Sequence, residues 1–171
     1  MRSAYQLLTP MQIGYADAVA TPEPRLAKWQ LELLHQPVAH LATVDTQARP
    51  HNVPICFVYL DGRIYTAVDH KPKRAQPLDL RRVRNLLANP NVCLTVDRYD
   101  EDWSRLAWLQ VRGQARLLDD PAQRIRAIEA LRGKYAQYRT MDLERRPMIE
   151  IRPSDVRAWR ASENEPGSIR S

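Results

Sequence analysis

Glycine is scarce in this chain, with five in 171 residues, at positions 14, 62, 113, 133 and 167. A Walker-type phosphate loop and a dinucleotide fingerprint both need closely spaced glycines, so that backbone N–H groups can approach phosphate. Glycines this scattered exclude both, and any phosphate bound here must be held by side chains. Cysteine is rarer still: Cys56 and Cys93 are the two in the chain. Both sit in apolar, strand-like runs and read as reduced core thiols rather than a disulfide. No apolar run approaches the length of a membrane-spanning helix. The first twenty residues, broken by Pro10, Gly14 and Asp17, lack the apolar core of a signal peptide, so a cytoplasmic location is expected. The motifs H-E-x-x-H, C-x-x-C and G-x-S-x-G are all missing, which argues against a metal site and against a hydrolytic nucleophile.

What is present is a basic, ordinary-sized domain. A chain of 171 residues suits one hydrophobic core, and the apolar fraction of 44% is typical of folded soluble proteins. The net charge of +6 comes from 22 arginines and 4 lysines against 20 acids, an arginine excess that genome composition explains as readily as function does. Such a charge is compatible with nucleic acid, acidic metabolites or an anionic cofactor. Nucleic acid is disfavoured, because no recognised module is present and the aromatics are not interleaved with the cations.

Along the chain, residues 1–21 read as an irregular arm, 22–160 as the folded domain and 161–171 as a flexible polar tail. Thr21-Pro22-Glu23-Pro24 is a helix start, and Leu26, Trp29, Leu33 and Leu34 then recur at helical spacing until Pro37. Val38 to Asp45 reads as a strand. Val53 to Tyr59, apolar on both faces, reads as a single central strand covered on both sides. Asp61-Gly62 is a hairpin signal, completing an expected three-stranded meander. A helix from Leu78 to Ala88 carries Leu78, Val83, Leu86 and Leu87 on its apolar face. Strands follow at 92–96 and 106–118, the latter bulged near Gly113. Asp119-Asp120-Pro121 caps a helix with Ile125, Ile128, Leu131 and Tyr135 facing the core. Met148–Ile151 and Val156–Trp159 read as two short final strands. Six or seven mainly antiparallel strands with three helices predict an α+β, mainly β fold: a closed or split barrel with peripheral helices.

Five features can carry chemistry. Lys71-Pro72-Lys73-Arg74 places three cations in four residues between apolar elements, where they can hold a phosphate; the alternative is an exposed basic turn. Tyr65-Thr66 ends the preceding strand, and the Thr66 hydroxyl can complete an anion site through charge-assisted hydrogen bonds. In Arg49-Pro50-His51-Asn52-Val53-Pro54, a proline inside a strand marks an edge, a bulge or a ladder interrupted for a flat ligand. Arg81, Arg82 and Arg84 project from the following helix, and Asn85 falls at its apolar boundary, where a partly buried amide needs a partner. Trp103 and Trp108 flank the long strand and suit either a planar ligand or a subunit interface. His40, His51 and His70 could converge, but none is assigned a catalytic role.

In this order, with Arg84-Asn85-x-x-x-Asn89-Pro90-x-Val92 after the basic loop, the chain resembles the pyridoxamine 5′-phosphate oxidase-like superfamily of split β-barrels, which bind FMN or the deazaflavin coenzyme F420. The resemblance covers roughly residues 22–160. The stretch from Tyr99 to Trp108 looks like the deazaflavin-dependent subgroup. This resemblance implies a homodimer with cofactor at the subunit interface. It also implies that His51, Asn52, Val53 and Pro54 lie along the ring system. Tyr65, Thr66, Lys71, Lys73 and Arg74 then gather at the phosphate, with Arg84 and Asn85 behind, and Trp108 contacts the ring, across the dimer if not within the subunit. The chain ends Arg157-Ala158-Trp159-Arg160-Ala161, without the Arg-Leu-His-Asp-Arg-type segment of true pyridoxine phosphate oxidases, so vitamin B6 oxidation is not expected. Pro54 also stands where many relatives have a backbone donor. The expected function is hydride transfer from F420 to an unsaturated organic acceptor. FMN is the alternative cofactor, and a flavin or tetrapyrrole carrier is the alternative outside enzymes.

Overall fold

A computed structural model of the protein describes residues 24–68 and 79–161. The 1–21 arm, most of the 161–171 tail, the cap at Thr21–Glu23, Leu78, His70 and the basic loop lie outside those residues. Alternating apolar positions build seven strands: β1 (Ala39–Val44), β2 (Pro50–Ile55), β3 (Val58–Leu60), β4 (Arg63–Ala67), β5 (Asn91–Arg98), β6 (Ala107–Leu117) and β7 (Met148–Arg160). The helices are α1 (Lys28–Leu33), α2 (Arg81–Ala88) and α3 (Pro121–Lys134). All described pairings are antiparallel, in the order β2-β1-β5-β6-β7-β4-β3.

That order makes a curled sheet. β2 and β3 stand at its two ends, yet only Cys56 and Phe57 separate them in sequence. The three Cα–Cα steps from Ile55 to Val58 span roughly 11 Å at most, so the sheet must bend round until its edges approach. The result is a mainly β split barrel, as the strand pattern predicts. The expectation of one central strand over Val53–Tyr59 is corrected, and so is the meander. β2 pairs with β1 and β3 with β4, with a corner between. Pro54 explains the outcome: a residue without an N–H is tolerated at a sheet edge, and β2 is an edge among the described residues. Phe57, fully buried at the corner, donates its N–H to the Tyr135 hydroxyl at 2.9 Å. That hydroxyl in turn lies 2.9 Å from the Pro37 and Phe57 carbonyls, either of which can accept its proton.

The barrel interior is filled from the inward faces of β1, β4, β5, β6 and β7 and closed by Leu33 and Leu34 of α1 and Val83 and Leu86 of α2. A second cluster forms where α3 lies on the outside of the barrel, packing Ala127, Ile128 and Leu131 against Val58, Tyr65 and Met148. Asp120 caps α3 by accepting from Gln123 N–H at 2.8 Å. Ile125 and Leu87, both expected in the core, are exposed at 59% and 60%, because each lies one position beyond the stripe that meets the sheet. α2 begins at Arg81 rather than Leu78. The two expected final strands are one, continuous through Pro153. The expected bulge in the 106–118 strand is corrected: Arg112 faces Asp155 and Gly113 faces Pro153, so the extra residue is Ser154 of β7, and a Cβ on Gly113 would stand 2.1 Å from the Arg152 carbonyl oxygen.

Candidate functional site

α3 covers only part of the outer barrel surface. Strand alternation and register lay out the remainder as a grid across β2, β1, β5, β6 and β7. One row runs Pro54–His40–Thr95–Gln110–Arg157, and the next Asn52–Ala42–Cys93–Arg112–Asp155. Beyond the first row, Trp108 sits between Asp97 and Trp159. Helices cover none of it among the described residues. Trp108 is 38% exposed despite its size, and Trp103, in the adjoining connection, is 72% exposed. Cys56 and Cys93 are free thiols, half-buried rather than fully buried as expected. Burial pushes the Cys93 thiol up, Arg112 nearby partly opposing the shift.

The residues expected along the ring divide between the two surfaces of β2. Asn52 and Pro54 are exposed on the open face, whereas His51 and Val53 are half-buried on the inward face. His51 lies towards α2: burial, then the charges of Arg81 and Arg82, lower its pKa and favour the neutral imidazole. Tyr65 and Thr66 also separate. Thr66 is buried towards the interior, while Tyr65 joins the α3 cluster beside Glu150. Burial and the Glu150 charge raise the Tyr65 phenol. Asn85, 4% exposed, donates from Nδ2 to Thr43 Oγ1 at 3.0 Å. Thr43 in turn reaches the His51 carbonyl at 3.4 Å. The amide at the apolar boundary is therefore buried, and it ties α2 to the β1–β2 hairpin. Arg84 is exposed on α2. Lys71, Lys73 and Arg74 lie outside the described residues.

Around the β1–β2 hairpin the charge is strongly positive. Asp45 Oδ2 meets Arg49 Nε at 2.8 Å and Arg81 Nη2 at 3.7 Å. Hydrogen bonds from the Arg49 backbone, its side chain and the Gln47 backbone hold the Asp45 carboxyl below the usual carboxylate range. Arg82 and Arg84 add to this end of the sheet.

Pro54 and Trp108 stand three strand spacings apart, about 14 Å along the sheet. One ring system could not lie flat on both within a subunit, so the pair suits a ligand shared between two open faces. Sequence reasoning missed most of that face. His40 Nδ1 stands 3.9 Å from Asp97 Oδ1, both side chains nearly half exposed. The alternation of Gln110, Arg112 and Gln114 with Leu109 and Val111 marks a polar outer surface, but nothing local tells such a surface from a binding one. His40 and His51 point to opposite faces of the sheet and do not converge. Among the described residues, no group of three His, Cys, Asp or Glu could hold a metal, and no helix is long and apolar enough to cross a membrane.

A flat, anionic cofactor fits these residues: an aromatic-lined open face at one end, an arginine-rich hairpin and helix at the other. A family model described as pyridoxamine 5′-phosphate oxidase matches residues 26–160. No curated protein matches the sequence. Among solved structures, a FAD-binding protein from Mesorhizobium loti is 21% identical, covering 78% of this chain and 94% of its own at a TM-score of 0.58. An F420 reductase is 23% identical, with coverage of 77% and 98% and a TM-score of 0.57. HutZ, the heme storage protein of Vibrio cholerae, is 18% identical, with coverage of 80% and 95% and a TM-score of 0.59. At these identities the likeness is one of fold.

Proposed function

The chain belongs to the pyridoxamine 5′-phosphate oxidase family, and from that premise we propose that it is an oxidoreductase holding a deazaflavin of the F420 type and reducing an unsaturated organic acceptor. The observation that carries this reading is the pairing of an uncovered, tryptophan-bearing sheet face with an arginine-rich hairpin and helix. When bound, the cofactor supplies the hydride. The protein's part is to bind, orient and exclude water, which agrees with a chain that lacks every hydrolytic signature.

Lys71, Lys73 and Arg74 take the phosphate, while Thr66, buried towards the interior, does not reach it. Arg84 and its neighbours Arg81 and Arg82 supply positive charge for an acidic extension such as the oligoglutamate tail of F420, which FMN lacks. Asn52 and Pro54 lie under the ring. Asn85 acts at one remove, holding the hairpin through Thr43. Two copies meet through their open faces, so that Trp108 of one faces the site of the other and water is excluded from both. The solved neighbours include both an F420 reductase and a FAD-binding protein, and the arginines of α2, which an acidic tail would use, favour the deazaflavin. The heme storage protein supports a tetrapyrrole carrier as the second reading, for which the exposed imidazole of His40 is the specific feature.

Titration with F420, FMN and hemin separately, repeated on Lys73→Ala and Arg74→Ala, tests this. F420 is expected to bind tightest. A lost charge-assisted hydrogen bond is worth about 1.5–3 kcal/mol, so each variant should bind roughly 10- to 100-fold more weakly. Unchanged affinity in both would remove the basic loop from the site. Preference for hemin, with no flavin binding, would establish the carrier.

A further inference from the structure

A reduction by hydride transfer needs a proton as well, and the open face offers few groups that can give one. Cys93 is held as the neutral thiol by burial. Arg112 and Arg157 do not release protons near neutral pH, and both lie close to Asp155, at 3.8 and 3.7 Å. His51 faces inward. Among the described residues there remains His40, directly opposite Pro54 on β2 and opposite Thr95 on β5. Its Nδ1 lies 3.9 Å from the Asp97 carboxylate, and Asp97 is itself opposite Trp108. With Nδ1 turned to that carboxylate, Nε2 is the ring nitrogen left to face what lies beyond. By register, the other titratable or charged groups on this part of the face are Asp97 and Cys93 of β5 and Arg112 of β6, while β2 contributes only uncharged Asn52 and Pro54.

We propose that His40, oriented by Asp97, is the proton donor for the acceptor at this face. The inference rests on the flavin-type reading above. For an activated C=C acceptor the π bond is replaced by two C–H bonds: one carbon receives the hydride, the other the proton from Nε2 of the imidazolium. The two-electron oxidation is of the reduced cofactor, His40 is left neutral, Asp97 stays ionised, and solvent restores the proton.

The test uses the full chain loaded with reduced F420, with 2-cyclohexen-1-one and menadione as probe acceptors. His40→Ala should leave F420 affinity within about twofold while slowing cofactor oxidation roughly 10²-fold, the usual worth of a positioned acid. Added imidazole should restore part of the rate. The wild-type rate should fall as pH rises, and the variant should lose that dependence. Asp97→Asn should fall between the two. A readout independent of turnover is the imidazole NMR spectrum: oxidised F420 should shift the His40 resonance and leave that of His35, exposed in the turn after α1, in place. If wild type binds F420 and reduces either probe, but His40→Ala keeps the full rate and pH profile, the donor assignment fails and the parent reading stands. A His40 signal indifferent to bound F420 overturns it equally. If wild type binds no flavin or reduces neither probe, the oxidoreductase reading and this proposal fall together.

Discussion

Glu150 is the residue on which most charge depends. It is fully buried on β7 and accepts from Arg63 Nη1 at 2.9 Å and from Arg116 Nε. Both arginines keep about a third of their side chains in water, so removing the acid leaves cations that can partly resolvate. Glu150→Ala is therefore expected to cost about 2–3 kcal/mol, towards the low end for breaking a buried pair, read from urea denaturation. Lys134 makes the opposite case. Its Nζ stands 3.1 Å from the Leu34 carbonyl oxygen and 3.9 Å from the centre of the Phe57 ring, and burial lowers its pKa to about 8 from 10.5. The folded state then binds this proton more weakly than the unfolded chain does. Stability from this group rises with pH from about 8 to 10.5 and is at its lowest below that window. Lys134→Met, which cannot titrate, should compare best with wild type at pH 6.5 and lose ground by pH 10, as melting temperatures would show.

At the scale of elements, the decisive pieces are the β2–β3 corner and the β6–β7 bulge. Tyr135, at the end of α3, serves Pro37 after α1 and Phe57 at the corner with one hydroxyl. Burial pushes its phenol up to about 12. Tyr135→Phe keeps the ring but orphans a buried N–H, at a cost of about 1–3 kcal/mol, and hydrogen exchange should report it first at Phe57. Gly113→Ala should be worse than its size implies. The clash is with the backbone of Arg152, which no rotamer can relieve, and overpacking of this kind costs about 1–3 kcal/mol or more. A lowered denaturation midpoint checks it. The hairpin at Asp61-Gly62 was legible in advance because both residues adopt positive φ, 49° and 73°, as that dipeptide favours. The break after Ile55 was not, since an apolar run looks alike whether it continues or turns a corner.

For the whole molecule, the uncovered half of the barrel is the feature with consequences. An outer face that exposes Trp108 and adjoins Trp103 and Tyr99, with no helix over it among the described residues, is where a second copy is expected to bind. Trp108→Arg should place a charge in that contact and shift sedimentation towards monomer, with loss of F420 binding in step. A dimer that persists with the cofactor site intact would move the interface elsewhere. The long acidic turn from Asp100 to Asp102 is ordered locally, Asp102 accepting from Ser104 N–H at 3.0 Å and Asp100 meeting Arg105 at 3.2 Å, so its aromatic neighbours are presented by a defined turn.

By itself the sequence determined the class of fold, the family order of its motifs, the hairpin, the cap at Asp120 and an irregular ladder at Gly113, though not that the extra residue lies on β7. These depend on local chemistry: alternation, turn-forming residues and residues without a Cβ. It also excluded glycine-based phosphate cradles, leaving side-chain cations as the means of holding an anion. Only the tertiary structure decided that β2 is an edge, that Tyr65 and Thr66 look opposite ways, and that Asn85 is spent on Thr43. It alone brought His40 beside Asp97. Each of these depends on which strands become neighbours across long stretches of chain, and one strand's pattern says which residues share a face but not what that face will meet.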